Sequence, residues 1–294
     1  MKKFLFFTLI ITVTLLFWTS CSQKHEKQLL IATNSWIGYT PLFYAKERGY
    51  LKKLNMDLLT NVSLAEAADV YNIGKADLVT TTQHEYYSLK QSNHNIVPII
   101  LFDRSYGGDM ILSNKSIETI KKAKKIYAYL EIDSINSEIL KDFIRYYHLD
   151  SNKIVFINKD QAQIEDLQPN KEKDILIVTY VPYSITLLKK GFQKLASTRD
   201  TNKIIVIDAL CSSKKILQQE HKRLQKLKRV IDRSVNELQN NTRVSYQLVK
   251  NYLGNISYKE YTDSLQLIKW INKPSEKLLK RIEPMGYKKE DLIQ

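Results

Sequence analysis

The chain has 294 residues, 44% of them hydrophobic and 26% charged, and a formal net charge of +14. That balance is that of a soluble globular chain long enough for two domains or one two-lobed unit, so disorder is excluded as its default. The basic excess admits nucleic acid or an anionic membrane as a partner, but no zinc-finger spacing, helix-turn-helix punctuation or RNP-like aromatic motif is present, which argues against nucleic acid.

The N-terminus bears on the compartment. Met1, Lys2 and Lys3 form a short positive segment. Phe4 to Trp18 is uncharged and mostly apolar, too short to span a bilayer comfortably. Ser20 then precedes Cys21. The segment resembles a bacterial lipoprotein signal, although Trp18 stands three residues before the cysteine, where such signals usually carry Leu. The resemblance implies a signal peptide over 1–21 with Cys21 lipidated, a polar tether over 22–27, and a chain anchored on the outer face of the cytoplasmic membrane or in the periplasm. Cys211 is the other cysteine. With Cys21 lipidated, no intramolecular disulfide is possible, and the core alone must hold the fold.

From Leu29 onward short apolar runs alternate with amphipathic stretches. "LLIAT" reads as a buried strand, and Pro41 opens a helix that runs to about Arg48 and ends at Gly49. "MDLLTNV" is a strand, and Ser63 with Glu66 forms a capping box for a helix through Tyr71. "ADLVTTT", "NIVPIILF" and "GDMILS" are strands, with a helix near Glu85 to Lys90 between the first two. Helices near Ser116 to Ala123, Ile135 to Tyr147 and Gln161 to Leu167 then alternate with strands "KIYAYL", "KIVFI" and "DILIVT". Pro182 opens a further helix and "NKIIVIDALC" is the last strand expected. This rhythm argues for α/β sheets with mostly parallel pairing. After Ser212 helices alone are expected, over Ser213 to about Leu238, Arg243 to Leu253, Tyr258 to Ile271 and Ser275 to about Ile282. The first of them is strongly basic, which reads as a solvated face or as attraction to anionic headgroups.

The five histidines show no metal-ligand spacing, so no metal and no cofactor are expected. There is no nucleophile elbow, phosphate loop or dinucleotide fingerprint, and the expectation is a protein that is not an enzyme. Five loops of one type follow strand ends and precede helices: "NSWIGYTP", "TTTQ", "YGGD", "LEIDS" and "TYVPY". Ligands of α/β sheets collect at such places, beside helix N-termini.

The order of these loops resembles the nitrate/sulfonate/taurine group of periplasmic substrate-binding proteins of ABC importers, which also includes binders of the thiamine pyrimidine precursor. "NSWIGYTPLFYAKERGYLKKLNMDL" looks like its opening motif, "ADLVTTT" its Ala-Asp segment, and "DRSYGGDMIL" the strand that enters a second lobe. "VTYVPY" resembles a Trp-Glu-Pro motif with Tyr180 and Val181 in place of Trp and Glu. The resemblance implies a type II periplasmic binding protein: two α/β lobes joined by a two-segment hinge, with extra C-terminal helices. Lobe one would hold 28–109 and 206–294, and lobe two 110–205. The implied function is a monomeric, lipid-anchored solute-binding protein that closes on a small molecule and delivers it to membrane permease subunits. A sensory protein or a pyrimidine-processing enzyme on the same fold stands as the alternative.

Candidate ligand-binding residues lie in the five loops. Trp36, Tyr39, Tyr180 and Tyr183 offer aromatic walls, and Thr81, Thr82, Gln83, Ser105 and Ser134 offer donors. Gly107 and Gly108 bring backbone close. Asp109 and Glu131 supply carboxylates, one from each side of the hinge. Phe43 and Tyr44 read as core, and Asp208 as a hinge hydrogen-bonder. Carboxylates among flat π faces suit a ligand with a cationic or amino end, an aminosulfonate-like zwitterion or a nitrogen heterocycle.

Overall fold

The computed structural model describes residues 27–200 and 204–293. The expected signal peptide and most of the tether lie outside the described residues.

The first βα units follow the apolar pattern. Strand β1 (Leu29–Asn34) leads through a 3-10 turn at Ile37–Tyr39 into helix α1 (Thr40–Glu47), which carries Pro41 in its first turn. Gly49 adopts a left-handed φ of +67° and starts helix α2 (Tyr50–Lys53). Strand β2 (Met56–Asn61) precedes helix α3 (Leu64–Asn72), whose cap Ser63 accepts from the Glu66 amide. The Glu66 carboxylate accepts from Val62 N rather than from Ser63 N, so the box is displaced by one residue. Strand β3 (Leu78–Thr81), helix α4 (Gln83–Ser92) and the ten-residue strand β4 (Ile96–Ser105) complete this stretch.

The chain then crosses over. Strand β5 (Asp109–Ser113), helix α5 (Ile117–Lys122), strand β6 (Ile126–Leu130) and helix α6 (Ile135–Tyr147) follow. Next come strand β7 (Ile154–Asn158), helix α7 (Gln161–Glu165), strand β8 (Asp174–Tyr180), helix α8 (Tyr183–Lys189) and strand β9 (Gln193–Ser197). Strand β10 (Ile207–Ser213) returns to the first sheet. Helices α9 (Lys214–Gln219), α10 (His221–Asn240), α11 (Thr242–Val249) and α12 (Tyr258–Leu265) then precede strand β11 (Ile268–Trp270) and helix α13 (Glu276–Ile282).

Two sheets result. The first has the order β11-β4-β10-β3-β1-β2 and the second β7-β6-β8-β5-β9. β1 pairs in parallel with β2 and β3, and β6 with β7 and β8. The returning strands β5 and β10 are antiparallel to their neighbours. This is the two-lobed α/β architecture expected from the sequence, one mixed sheet in each lobe. β4 and β10 lie side by side, and the two crossings are tied to each other where they leave them. Ser105 N donates to Val206 O at 3.0 Å, Ser105 Oγ meets Thr198 Oγ1 at 2.7 Å, and Thr198 N donates to Asp109 O at 3.0 Å.

Three expectations need correction. Strands do not stop at Ser212: the helix expected over Tyr258 to Ile271 ends at Leu265, and β11 adds an edge to the first sheet. The basic helix is broken at Glu220 into α9 and α10. β9 is an additional edge strand, and its polar "QKLAS" carries little apolar signal.

Candidate functional site

The C-terminal ends of the parallel strands in both sheets meet between the lobes. There, Trp36, Leu64, Thr82, Asp109, Tyr180, Val206 and Asp208 enclose a cavity of about 10 Å³. That is space for roughly one water molecule, so a larger solute has to be admitted with the lobes parted. In the geometry described here the lobes are shut. Asn34 Nδ2 donates to Tyr180 Oη at 2.8 Å, and the Trp36 and Tyr180 rings meet edge-on at 5.8 Å between centroids.

The aromatic loop after β1 is shaped by two glycines. A Cβ on Gly38 would lie 1.8 Å from Asp103 Oδ2 and 2.4 Å from Trp36 Nε1. A Cβ on Gly108 would lie 2.4 Å from Cη2 of Trp36. The indole is therefore clamped between two backbone segments that only glycine can supply, and its Nε1 donates to Asp103 Oδ2 at 3.4 Å.

Four buried carboxyl groups lie on this cavity or behind its walls: Asp109 and Asp208 line it, Asp103 backs Trp36, and Glu131 acts on Tyr180. Asp103, Asp109, Glu131 and Asp208 are each at most 4% exposed. Each has one oxygen without a partner among the described residues: Asp103 Oδ1, Asp109 Oδ2, Glu131 Oε2 and Asp208 Oδ2. The other oxygens of Asp103, Glu131 and Asp208 accept from Trp36 Nε1, Gln161 N at 3.2 Å and Tyr39 Oη at 2.6 Å, while the Asp109 amide donates to Ser105 Oγ at 3.1 Å. No Lys or Arg forms an ion pair with any of the four among the described residues. Burial without a counter-charge penalises the anion. It raises Asp109 to about 7 and Glu131 to about 8, with the nearby Glu85 charge adding to both. Asp103 and Asp208 are raised well above the ordinary carboxyl range, first by burial, and their neighbouring carboxylates add to it.

A fifth carboxylate, Glu85, is employed differently. It is the third residue of helix α4 and completes a capping box with Thr82. Its Oε2 accepts from Thr82 N at 2.9 Å and from the Thr82 hydroxyl. Its Oε1 accepts from Ile135 N at 2.9 Å, the first amide of helix α6 in the other lobe. One side chain thus fills two helix N-termini and bridges the cleft. Glu260 has the same dual arrangement at the rim. Its Oε2 accepts from Ser257 N at 2.7 Å in the capping box of α12, and its Oε1 pairs with Lys189 of α8 at 2.5 Å. These contacts hold Glu260 down at about 2.

Of the residues expected at the site, Trp36, Thr82, Asp109 and Tyr180 line the cavity. Tyr39 stands behind it, its hydroxyl fixed on Asp208 and its ring edge-on to Phe102. Glu131 and Ser134 lie at the loop before α6, where Ser134 Oγ donates to Glu131 O at 2.9 Å and caps Asn136 N. Tyr183 lines a second recess at the cleft mouth, and its hydroxyl reaches Val62 O at 3.4 Å. Ser105 and Gly107 bind Thr198 and so brace the hinge. Gly108 makes room for the indole. Two side chains turn elsewhere. Thr81 Oγ1 contacts Cys211 Sγ at 3.2 Å within the sheet. Gln83 spans the returning chain, donating to Ile205 O at 2.7 Å and accepting from Ile207 N at 3.0 Å. Phe43 and Tyr44 are core, as expected.

Comparison with known proteins places this geometry. The family model described as "NMT1/THI5 like" matches residues 36–243, about seven-tenths of the chain. The chain belongs to the NMT1/THI5-like family. The match starts at Trp36 and includes every cavity-lining residue. No curated protein sequence matches the NMT1/THI5-like chain. Among solved structures, the aliphatic sulphonate-binding protein SsuA of Escherichia coli superposes with a TM-score of 0.70 at 15% identity, covering 89% of this chain and 86% of that one. The ligand-binding component of an ABC-type import system of Staphylococcus aureus gives 0.69 at 13%, covering 92% and 97%. The nitrate-binding protein NrtA of Synechocystis gives 0.63 at 12%, covering 80% and 69%. At these identities the likeness shows that the NMT1/THI5-like chain has the periplasmic binding protein fold. All three neighbours are named for binding rather than for catalysis.

Proposed function

We propose that the protein is an extracytoplasmic solute-binding protein of an ABC importer, and that its solute is a small amine or protonatable nitrogen heterocycle. The chain would be held at the membrane by a lipid on Cys21. Residues 28–109 with 206–294 and residues 110–205 would move as the two lobes. The observation that carries the reading is the set of buried carboxyl groups with unpartnered oxygens and no Lys or Arg ion-paired to them among the described residues. A cationic solute supplies the missing charge, and the flat faces of Trp36 and Tyr180 favour it further by roughly 0.5–2 kcal/mol.

The same geometry disfavours an oxyanion such as nitrate or a sulfonate. Helix N-termini are the natural seats for oxyanions. Here α4 and α6 are both occupied by Glu85, and α7 by Glu131. An incoming anion would find those amides taken and, among the described residues, no Lys or Arg paired to the cleft carboxyls to meet its charge, which is costly in a dry cleft. Of the two ligand types expected, the nitrogen heterocycle therefore fits better than the aminosulfonate, and a simple amine fits for the same reason.

The test is calorimetry against amines, aminopyrimidines, taurine, alkylsulfonates and nitrate, repeated with Asp109→Asn and Glu131→Gln. Loss of one charge-assisted contact is expected to weaken amine binding by roughly 10- to 100-fold. Tight nitrate or alkylsulfonate binding that survives both substitutions would overturn the proposal.

A further inference from the structure

The ends of the first sheet differ in character. One end carries Asp103 and Asp208 of the cleft, and the other carries lysines. β1, β2, β3 and β4 all begin at this far end, and β10 finishes there. Lys27 and Lys75 stand just before β1 and β3, Lys52 and Lys53 end α2, Lys214 and Lys215 open α9 after β10, and Lys222 follows in the first turn of α10, all exposed. These segments are joined to one another. Leu29 N donates to Asn55 O at 3.0 Å, Ser212 Oγ to Asp77 O at 2.8 Å, and Lys214 N to Asn95 O at 2.8 Å. Three acids at this end are paired with bases, while Asp69 and Glu47 form no ion pair among the described residues, and Lys27 is offset by Asp77. Asp57 pairs with Lys46, Asp77 with Lys27, and Glu220 with Arg223, while Asp69 lies one turn back from Ile73 on α3. Within the basic surround Ile73 is 65% exposed, at the turn between α3 and β3.

The chain leaves the described body from this same face. Arg223 Nη1 donates to Lys27 O at 2.9 Å, so helix α10 clasps the backbone where residues 1–26 depart. We propose that this lysine-rich end of the first lobe docks on an anionic lipid surface. Three observations point to lipid. The positive charge is spread over many turns rather than gathered in a groove, which suits a planar headgroup array. An exposed Ile in its midst offers an apolar contact at the interface. The 26 preceding residues include the uncharged apolar stretch Phe4 to Trp18 and emerge from this face, so whatever holds them at a bilayer brings the lysines to it. The proposal does not depend on which solute the cleft takes.

Hydrogen exchange of the full chain, reconstituted in vesicles through its own N-terminal segment, tests this. In phosphatidylcholine vesicles containing roughly one-third phosphatidylglycerol, exchange at 50–55, 72–77 and 213–222 should slow relative to pure phosphatidylcholine, and the slowing should vanish in high salt. The triple substitution Lys52→Glu, Lys53→Glu, Lys75→Glu should abolish it, since about fivefold per lysine compounds to roughly 100-fold in occupancy. Unchanged exchange in β1 and β3 certifies that the variant is folded. Equal exchange in the two lipid mixtures, or slowing on a different face, overturns the proposal. So does slowing by a DNA oligonucleotide but not by phosphatidylglycerol.

Discussion

Replacing Glu85 by Gln tests whether one side chain both caps a helix and latches the lobes. The carboxylate serves two amides with two oxygens, Thr82 N and Ile135 N, each at 2.9 Å. Glutamine has one oxygen and one NH2, so it satisfies one amide and presents a donor to the other. A hydrogen bond to a charged group is worth about 1.5–3 kcal/mol. Loss at Ile135 should raise the open population by roughly 10- to 100-fold, and loss at Thr82 should cost about 0.5–2 kcal/mol of helix capping. The Ile135 amide reports the first effect directly. Its exchange rate should rise by the same factor, and the radius of gyration of the solute-free protein should grow. Glu85→Ala goes further, because it empties two helix N-termini at once, and sulfate should bind where the parent does not take it. If Ile135 exchanges as slowly in Glu85→Gln as in the parent, with scattering unchanged, the latch does not exist. If Glu85→Ala gains no affinity for sulfate, the account of why the cleft rejects oxyanions fails.

Proton uptake offers a second line. Asp109 and Glu131 are raised in the fold to about 7 and about 8, so their share of stability is complete below the ordinary carboxyl range near 4 and is lost as pH rises through those values. Solute-free protein should therefore melt lower at pH 8 than at pH 5, with a slope of at most about 1.4 kcal/mol per pH unit for each group. An amine bound at pH 7 should release roughly one proton, measurable by calorimetry in buffers of different ionisation enthalpy, and zero release would count against the carboxyl set as its seat. Gly108→Ala should push the Trp36 indole aside, cost about 1–3 kcal/mol in stability and weaken solute binding, with Trp36 fluorescence shifted even before solute is added. Cys21→Ala should leave the protein without diacylglycerol, and labelled palmitate that enters parent and variant alike would refute the anchor.

Much of the architecture was legible because buried parallel strands are continuous apolar runs and their helices carry amphipathic periodicity. The edges were not. β11 is three residues, "IKW", and its strand character comes from the exposed edge of β4 rather than from its own pattern. Within the site, Trp36, Thr82, Asp109 and Tyr180 stand where loop position indicated. Asp103 was missed although it ends the apolar run "IVPIILFD", and a carboxyl at the end of so buried a strand is the signal that was available. The capping box of Thr82 and Glu85 was equally visible, but its second duty was not, since Ile135 lies fifty residues on and only the shut lobes bring it near. Gln83 illustrates the converse. It sits in a plausible ligand loop, yet its amide is consumed by the returning backbone at Ile205 and Ile207.

The paired duties of Glu85 and Glu260 bear on the entropy of closing. A long side chain recruited to a contact ordinarily loses up to about 2 kcal/mol of rotamer freedom. Both glutamates have already lost it, because each is held by its own helix N-terminus through Oε2 whether or not the lobes have met. What each extends across the gap is an oxygen already in position. On the far side, Ile135 N is rigid backbone, whereas the Lys189 side chain is 64% exposed and has to be ordered. The inner latch therefore closes with almost no ordering cost and the outer one does not. The rim contact should weaken first on warming, leaving a cleft that unfastens from its mouth inward.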